Sequence, residues 1–292
     1  MCPKNKKIKT GLVLEGGALR GLFSAGVMDV MMENNLTFDG AIGVSAGAAF
    51  GCNYKSHQIG RAIRYNMQFA GDKRYCSFHS LIKTGHIYGA EFAYHTVPTQ
   101  YDIFDCRAYK ESDMDFYVVC TDVLTGLPIY KRCDMTGDEL FEWIRASASM
   151  PLVSKVVNIG GAKLLDGGMS DSIPLKYFQS IGYQRNLVIL TQPQNYVKKR
   201  NKFLPLMRLF LSKYPNVVAA MKRRHCMYNE ELEYVDRQEY EGNTLVIRPE
   251  TNIPIGYFCH DAIQMRVVYE LGREAAMERL DEIKSFILVI NH

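Results

Sequence analysis

With 292 residues the chain is long enough to bury a sizeable core, as one large domain or two small ones. Its content, 47% apolar and 23% charged, is ordinary for a globular protein, and a formal charge of +4 is too mild to announce a nucleic-acid partner. No stretch approaches the roughly 20 apolar residues of a membrane span.

Met1 to Thr10 is polar and lysine-rich and lacks the apolar centre of a signal peptide, so the expected compartment is the cytoplasm, with membrane contact only peripheral, at the inner face. Ile8 to Leu14 reads as a first strand, breaking at Glu15-Gly16-Gly17. A helix follows from Gly21, its apolar face formed by Leu22, Phe23, Val27, Val30 and Met31, and Asn34-Asn35 stops it. Phe38 to Val44 is a second strand running straight into Ser45, and the small residues Ala46 to Gly51 open the next helix. This order is the signature of an α/β protein with a parallel sheet.

Further along, Asp115 to Val123 is a strand, turned at Leu124-Thr125-Gly126 into Leu127 to Arg132. Asp138 to Ser147 is a helix stopped by Pro151, Lys163 to Leu165 a short strand, and Pro174 to Ile181 a short helix with proline at its start. Asn186 to Thr191 and Thr244 to Arg248 are strands, a helical hairpin spans Leu204 to Arg237, and one long amphipathic helix is predicted from His260 to Ile290. Without an internal repeat or linker, 8–192 reads as a core and 193–292 as a helical extension completing the same domain. The eight cysteines include no C-x-x-C pair and no zinc-ligand spacing; they read as reduced thiols, and neither metal nor cofactor is expected.

Two glycine-rich elements carry the chemistry. Gly43-Val44-Ser45-Ala46-Gly47 is a G-x-S-x-G element between strand and helix, the setting that exposes a nucleophilic serine on a sharp turn; the plain alternative is a serine that only caps the helix. One β-α-β unit earlier, Gly16-Gly17-Ala18-Leu19-Arg20-Gly21 can point successive N–H groups one way as an anion nest or oxyanion hole, or serve only as a tight turn. Neither Rossmann nor Walker spacing is present. Adjacent parallel strands would deliver both elements to one sheet edge.

Leu14 to Gly21 resembles the glycine-rich G-G-G-x-R/K-G motif of the patatin family, and Gly43 to Gly47 is similar to its G-x-S-x-G elbow. Asp166-Gly167-Gly168 matches the D-G-G/A element, and Arg145 to Pro151 resembles the A-S-x-A-x-P segment. Two positions depart from the pattern: Ala18 replaces a third glycine, and Met169 to Pro174 replaces an asparagine-rich stretch. The resemblance covers about residues 8 to 192. It implies a three-layer α/β/α sandwich with a mainly parallel central sheet, and lipid acyl hydrolysis without a metal.

The resemblance also implies that Ser45 attacks an ester while Asp166 takes its proton, with Gly16, Gly17 and Ala18 as the oxyanion hole. An aspartate can serve as base only if burial raises its pKa, and Leu164 and Leu165 before it allow that; the common use of Asp-Gly is an ordinary turn. The rival base is a histidine among positions 57, 79, 86, 95, 225, 260 and 292, of which His260 completes a Ser…Asp…His order. Arg20 is a candidate for a lipid phosphate or for a structural ion pair. From Ser172 to Asn229 there is no Asp or Glu, and basic residues from Lys198 to Arg224 border the apolar run Phe203 to Leu211, so 198–224 is the candidate for peripheral contact with anionic lipid. A third reading is a non-catalytic lipid-binding module on the same scaffold.

Overall fold

A computed structural model describes residues 8–75, 89–257 and 259–288. In chain order the first part comprises β1 (Lys9–Leu14), α1 (Gly21–Glu33), β2 (Gly40–Val44), α2 (Ala46–Lys55), α3 (Arg61–Gln68), a π-helical stretch Phe92–Tyr101, and α4 (Cys106–Glu111). Then come β3 (Asp115–Asp122), β4 (Pro128–Arg132), α5 (Asp138–Ser147), β5 (Val157–Ile159), β6 (Ala162–Asp166), α6 (Leu175–Ser180) and β7 (Tyr183–Ile189). The chain continues through α7 (Leu204–Phe210), α8 (Pro215–Tyr240), β8 (Thr244–Ile247), α9 (Ala262–Glu278) and α10 (Leu280–Leu288).

All eight strands among the described residues join one sheet. Five are parallel in the order β8-β7-β1-β2-β3, while β4, β5 and β6 add antiparallel pairs at the β3 end. The parallel strands are nearly continuous apolar runs because helices cover both faces. Side-chain alternation sorts them into two cores: Leu12, Leu14, Phe116, Leu187 and Ile189 face one layer, and Val13, Ile42, Val119, Val188 and Val246 face the other. Helices α1, α2, α5 and α9 pack on the first face; α6 and α8 cover the second with Leu175, Phe178, Tyr228, Leu232 and Val235. The three-layer arrangement expected from the sequence is thus present, and β8 extends the sheet beside β7.

Three local expectations change. The long C-terminal helix is broken at Arg279 into α9 and α10. The short strand β5, turned at Gly160-Gly161 into β6, and the helices between Gly51 and Asp115 carried no recognised pattern. Helix α1 is buried on all sides, not along one stripe, because it lies between the sheet and α9. Even Asp29 is buried there; its carboxylate accepts hydrogen bonds from the Tyr269 hydroxyl at 2.6 Å and the Gly60 N–H at 2.9 Å, and burial pushes its pKa up to about 6. Cys52, Cys106, Cys120, Cys133, Cys226 and Cys259 form no disulfide; Cys2, Cys76, His79, His86 and His292 lie outside the described residues.

Candidate active site

Strand β3 brings the two distant motifs together. Val118 and Val119 pair with β2 on one side and β4 on the other, while Cys120 and Thr121 pair with β4 and with β6. Since β4 holds one edge throughout, β2 and β6 must share the opposite edge, end to end. Strand β2 is parallel to β3 and stops at Val44 opposite Val119; β6 is antiparallel and stops at Asp166 opposite Cys120. The two carboxyl ends therefore converge, and the residues that leave them are Ser45 and Gly167.

Ser45 sits at φ 55°, ψ −119°, in the left-handed region that a non-glycine residue occupies only under strain. It stands at the N-terminus of α2 but its side chain makes no capping bond, so helix capping does not account for it. Beside it, a Cβ on Gly16 would lie 2.9 Å from the Ser45 Cβ and 2.9 Å from the Val44 carbonyl oxygen; only glycine lets this loop lean on the serine. Ala18, where the motif usually has glycine, adopts φ 49°. Among the described residues the backbone N–H groups of Gly16, Gly17 and Ala18 have no hydrogen-bond partner, although the Glu15 N–H before them donates to Ile189 at 3.2 Å and the Arg20 N–H after them to Gly17 at 3.1 Å. Three successive donors with no partner among the described residues, at the end of a parallel strand, are a setting that can receive negative charge.

Asp166 is buried, and its backbone is fixed on both sides: its N–H donates to the Ser149 carbonyl at 2.9 Å and its carbonyl accepts the Thr121 hydroxyl at 2.8 Å. Burial raises the carboxyl pKa above its ordinary value, opposed by the Arg224 charge, a hydrogen bond with the Ser45 side chain and the Gly168 N–H at 2.8 Å. A Cβ on Gly167 would stand 2.2 Å from the Val119 carbonyl oxygen, so glycine is required where the chain passes under the strand junction.

Ser147 was not singled out by sequence reasoning, although the segment containing it was. Its hydroxyl accepts the Ser45 N–H at 2.9 Å and donates to the Val119 carbonyl at 2.6 Å, filling the gap in the ladder where β2 ends. With Ser149 holding Asp166, the Arg145–Pro151 segment anchors both halves of the site. Ser147→Ala leaves the buried Ser45 N–H unpaired, so stability should fall by about 1–3 kcal/mol. An unchanged urea midpoint would show that this bridge does not hold the elbow.

A pocket of about 110 Å³ lies against Ser45, walled by Leu19, Phe50, Tyr65, Val97, Phe141 and Ile144. No described histidine lines it. His260 Nδ1 lies 2.7 Å from the Ala70 carbonyl oxygen, and His95 is held by Asp138 and Glu142. Arg20 forms no ion pair among the described residues; its guanidinium lies 5.3 Å from the centre of the Tyr257 ring, which borders the same pocket. Among the described residues no three His, Cys, Asp or Glu side chains are gathered as a metal ion would require, and no helix is long and apolar enough to cross a membrane.

The family model described as patatin-like phospholipase matches residues 12–178, and a model described as a domain of unknown function matches residues 214–288. An uncharacterised Escherichia coli protein, YjjU, is 30% identical over 193 residues, covering 63% of this chain and 52% of its own length. The lysophospholipase nte1 of Aspergillus oryzae is 25% identical over 177 residues, 59% of this chain and 11% of that protein. The Aspergillus terreus lysophospholipase nte1 is 22% identical over 94% of this chain and 18% of its own length. The chain thus spans about half of the bacterial relative and a small part of the fungal ones. Among solved structures, VipD from Legionella pneumophila aligns with TM-score 0.44 and 13% identity, covering 95% of this chain and 67% of that one.

Proposed function

Because the chain belongs to the patatin-like phospholipase family, we propose that it is a lipid acyl hydrolase in which Ser45 is the nucleophile and Asp166 the base. The observation that carries this reading is the convergence of the β2 and β6 ends on one edge of β3, which sets the Ser45 hydroxyl against a buried carboxylate. Asp166 takes the hydroxyl proton as the Ser45 oxygen attacks the ester carbonyl. The tetrahedral oxyanion is received by the Gly16, Gly17 and Ala18 N–H groups, where losing one donor costs about 3 kcal/mol in comparable enzymes. Asp166 then returns the proton to the leaving alcohol, and the same carboxylate activates the water that releases the fatty acid. The apolar pocket suits the acyl chain. The Ser-Asp-His alternative loses support because His260 is engaged with Ala70.

The basic stretch 198–224 fits peripheral docking on anionic lipid. Phe203, Leu206, Leu209 and Phe210 expose much of their apolar surface, and the hairpin residues Leu124 and Leu127 are exposed as well. That hairpin adjoins the start of α8, where the Asn216 amide donates to the Leu124 carbonyl at 2.5 Å. One experiment covers both parts of the reading. A fluorophosphonate probe should label Ser45, and the protein should release fatty acid from anionic vesicles and from a soluble short-chain ester. Phe210→Asp should reduce release from vesicles at least about fivefold more than from the soluble ester. Intact labelling of a folded Ser45→Ala variant would refute the nucleophile assignment, and equal loss on both substrates would refute the docking surface.

A further inference from the structure

Three cations from separate parts of the chain gather around the catalytic loops. Arg20 ends the glycine loop, Lys198 follows β7, and Arg224 comes from α8 within the segment that the model described as a domain of unknown function matches. The Arg224 Nε donates to the Gly168 carbonyl, two residues beyond Asp166. The Lys198 ammonium lies 4.2 Å from the centre of the Tyr228 ring and 5.9 Å from that of Tyr196, with no hydrogen bond or ion pair of its own among the described residues. The Arg20 Nε is buried without a hydrogen-bond partner, and its guanidinium packs on Tyr257, which shares the pocket with Ser45.

None of the three cations forms an ion pair among the described residues. The carboxylates near Lys198 are Glu15 and Glu231, and each is already engaged. Glu15 accepts the Tyr228 hydroxyl at 2.6 Å and the Thr191 N–H at 2.6 Å. Glu231 accepts the Ser172 and Ile173 N–H groups and, buried beside Asp171, has its pKa raised by burial and by that neighbour's charge. Burial, with the Arg224 charge next, pushes the Lys198 pKa down to about 8, although Glu15 and Glu231 nearby act to raise it, so the ammonium is held close to a second cation with no direct ionic partner among the described residues. Partly buried cations held close despite mutual repulsion, two of them on aromatic faces, can together give several charged hydrogen bonds to one oxyanion.

We propose that Arg20, Lys198 and Arg224 form a phosphate subsite beside Ser45, which directs the enzyme to acyl esters carrying a phosphate headgroup over neutral glycerides. This rests on the acyl-hydrolase reading above. It also gives the 214–288 segment a role, since its Arg224 and Tyr228 complete the subsite. The shared chemistry is a phosphate oxyanion, brought covalently by a lysophospholipid or alone as free phosphate.

The test compares lysophosphatidic acid with a monoacylglycerol of the same acyl chain, using the ratio of their kcat/KM values. Lys198→Gln and Arg224→Gln should each lower that ratio about tenfold or more, and Arg224→Lys, which keeps the charge, should retain most of it. A separate arm titrates glycerol 3-phosphate and inorganic phosphate into Ser45→Ala protein by calorimetry, with and without Lys198→Gln. Loss of glycerol 3-phosphate binding on Lys198→Gln supports the subsite even if neither ester is cleaved, in which case the hydrolase reading fails alone. Cleavage of both esters with an unchanged ratio overturns the subsite and leaves the hydrolase standing; so does an equal fall on both esters, which marks a structural role. Inorganic phosphate binding as tightly as glycerol 3-phosphate, with no change in ratio, overturns the headgroup assignment in favour of free phosphate.

Discussion

Asp166→Asn should lower kcat for ester hydrolysis by about 10²–10⁴-fold, the usual contribution of a general base, while the protein remains at least as stable as wild type at pH 7. Both halves follow from burial. The ionised carboxylate is desolvated, so its folded pKa is raised despite help from Arg224, Ser45 and the Gly168 N–H. A raised folded pKa means that the group's stability contribution is full below the unfolded value of about 3.9 and is lost as pH rises through the folded pKa. Above the folded pKa that loss is complete, and asparagine removes it while still accepting the Gly168 N–H. Activity follows the opposite course: kcat/KM should fall as pH drops through a value above the ordinary aspartate pKa, because only the ionised form accepts the Ser45 proton. Thermal melting and a pH–rate profile check the pair. A fully active Asp166→Asn variant would remove Asp166 as base, and one that melts well below wild type would contradict the desolvation account.

The second large effect concerns the fold. Helices α1 and α9 cross where a Cβ on Gly272 would lie 2.0 Å from the Phe23 carbonyl oxygen and one on Gly26 would lie 2.1 Å from the Tyr269 carbonyl oxygen. Backbone meets backbone at both points, so no side-chain rotation can relieve a substitution. Gly272→Val should therefore push α9 away from α1 and destabilise the protein by at least about 3 kcal/mol, a large share of a typical 5–15 kcal/mol. Separation also strains the Tyr269 bond to buried Asp29 and the Arg273–Glu33 ion pair at 2.8 Å. Gly26→Val should cost a similar amount, and the double variant less than the sum, because both remove one contact. Urea midpoints read all three; a midpoint unchanged in Gly272→Val would mean that the helices do not cross this closely.

Much of the architecture was legible before any coordinates. The run Ile8 to Leu14, observed as Lys9–Leu14, the helix from Gly21 and the strand ending at Val44 declare themselves through local periodicity and turn chemistry, which depend on neighbouring residues alone. The helix Asp138–Ser147 was likewise bounded correctly, because the pattern and its stop lie within a few residues. The C-terminal stretch was harder. Its amphipathic pattern runs on past Arg279, and nothing in the periodicity marks the break between α9 and α10.

For the site, the sequence by itself determined the parts: a serine on a glycine elbow, a glycine-rich loop one unit earlier, and an aspartate before two glycines. Only the tertiary structure decided how they combine. The sharing of one edge of β3 by β2 and β6, the Ser147 bridge between Ser45 and Val119, and the approach of Arg224 to Gly168 are contacts between residues 28 to 102 positions apart or between whole strands. A local pattern specifies conformation, since that is set by adjacent residues. It carries no record of which distant surface will pack against it, because long-range pairing is settled by the collective burial of both cores.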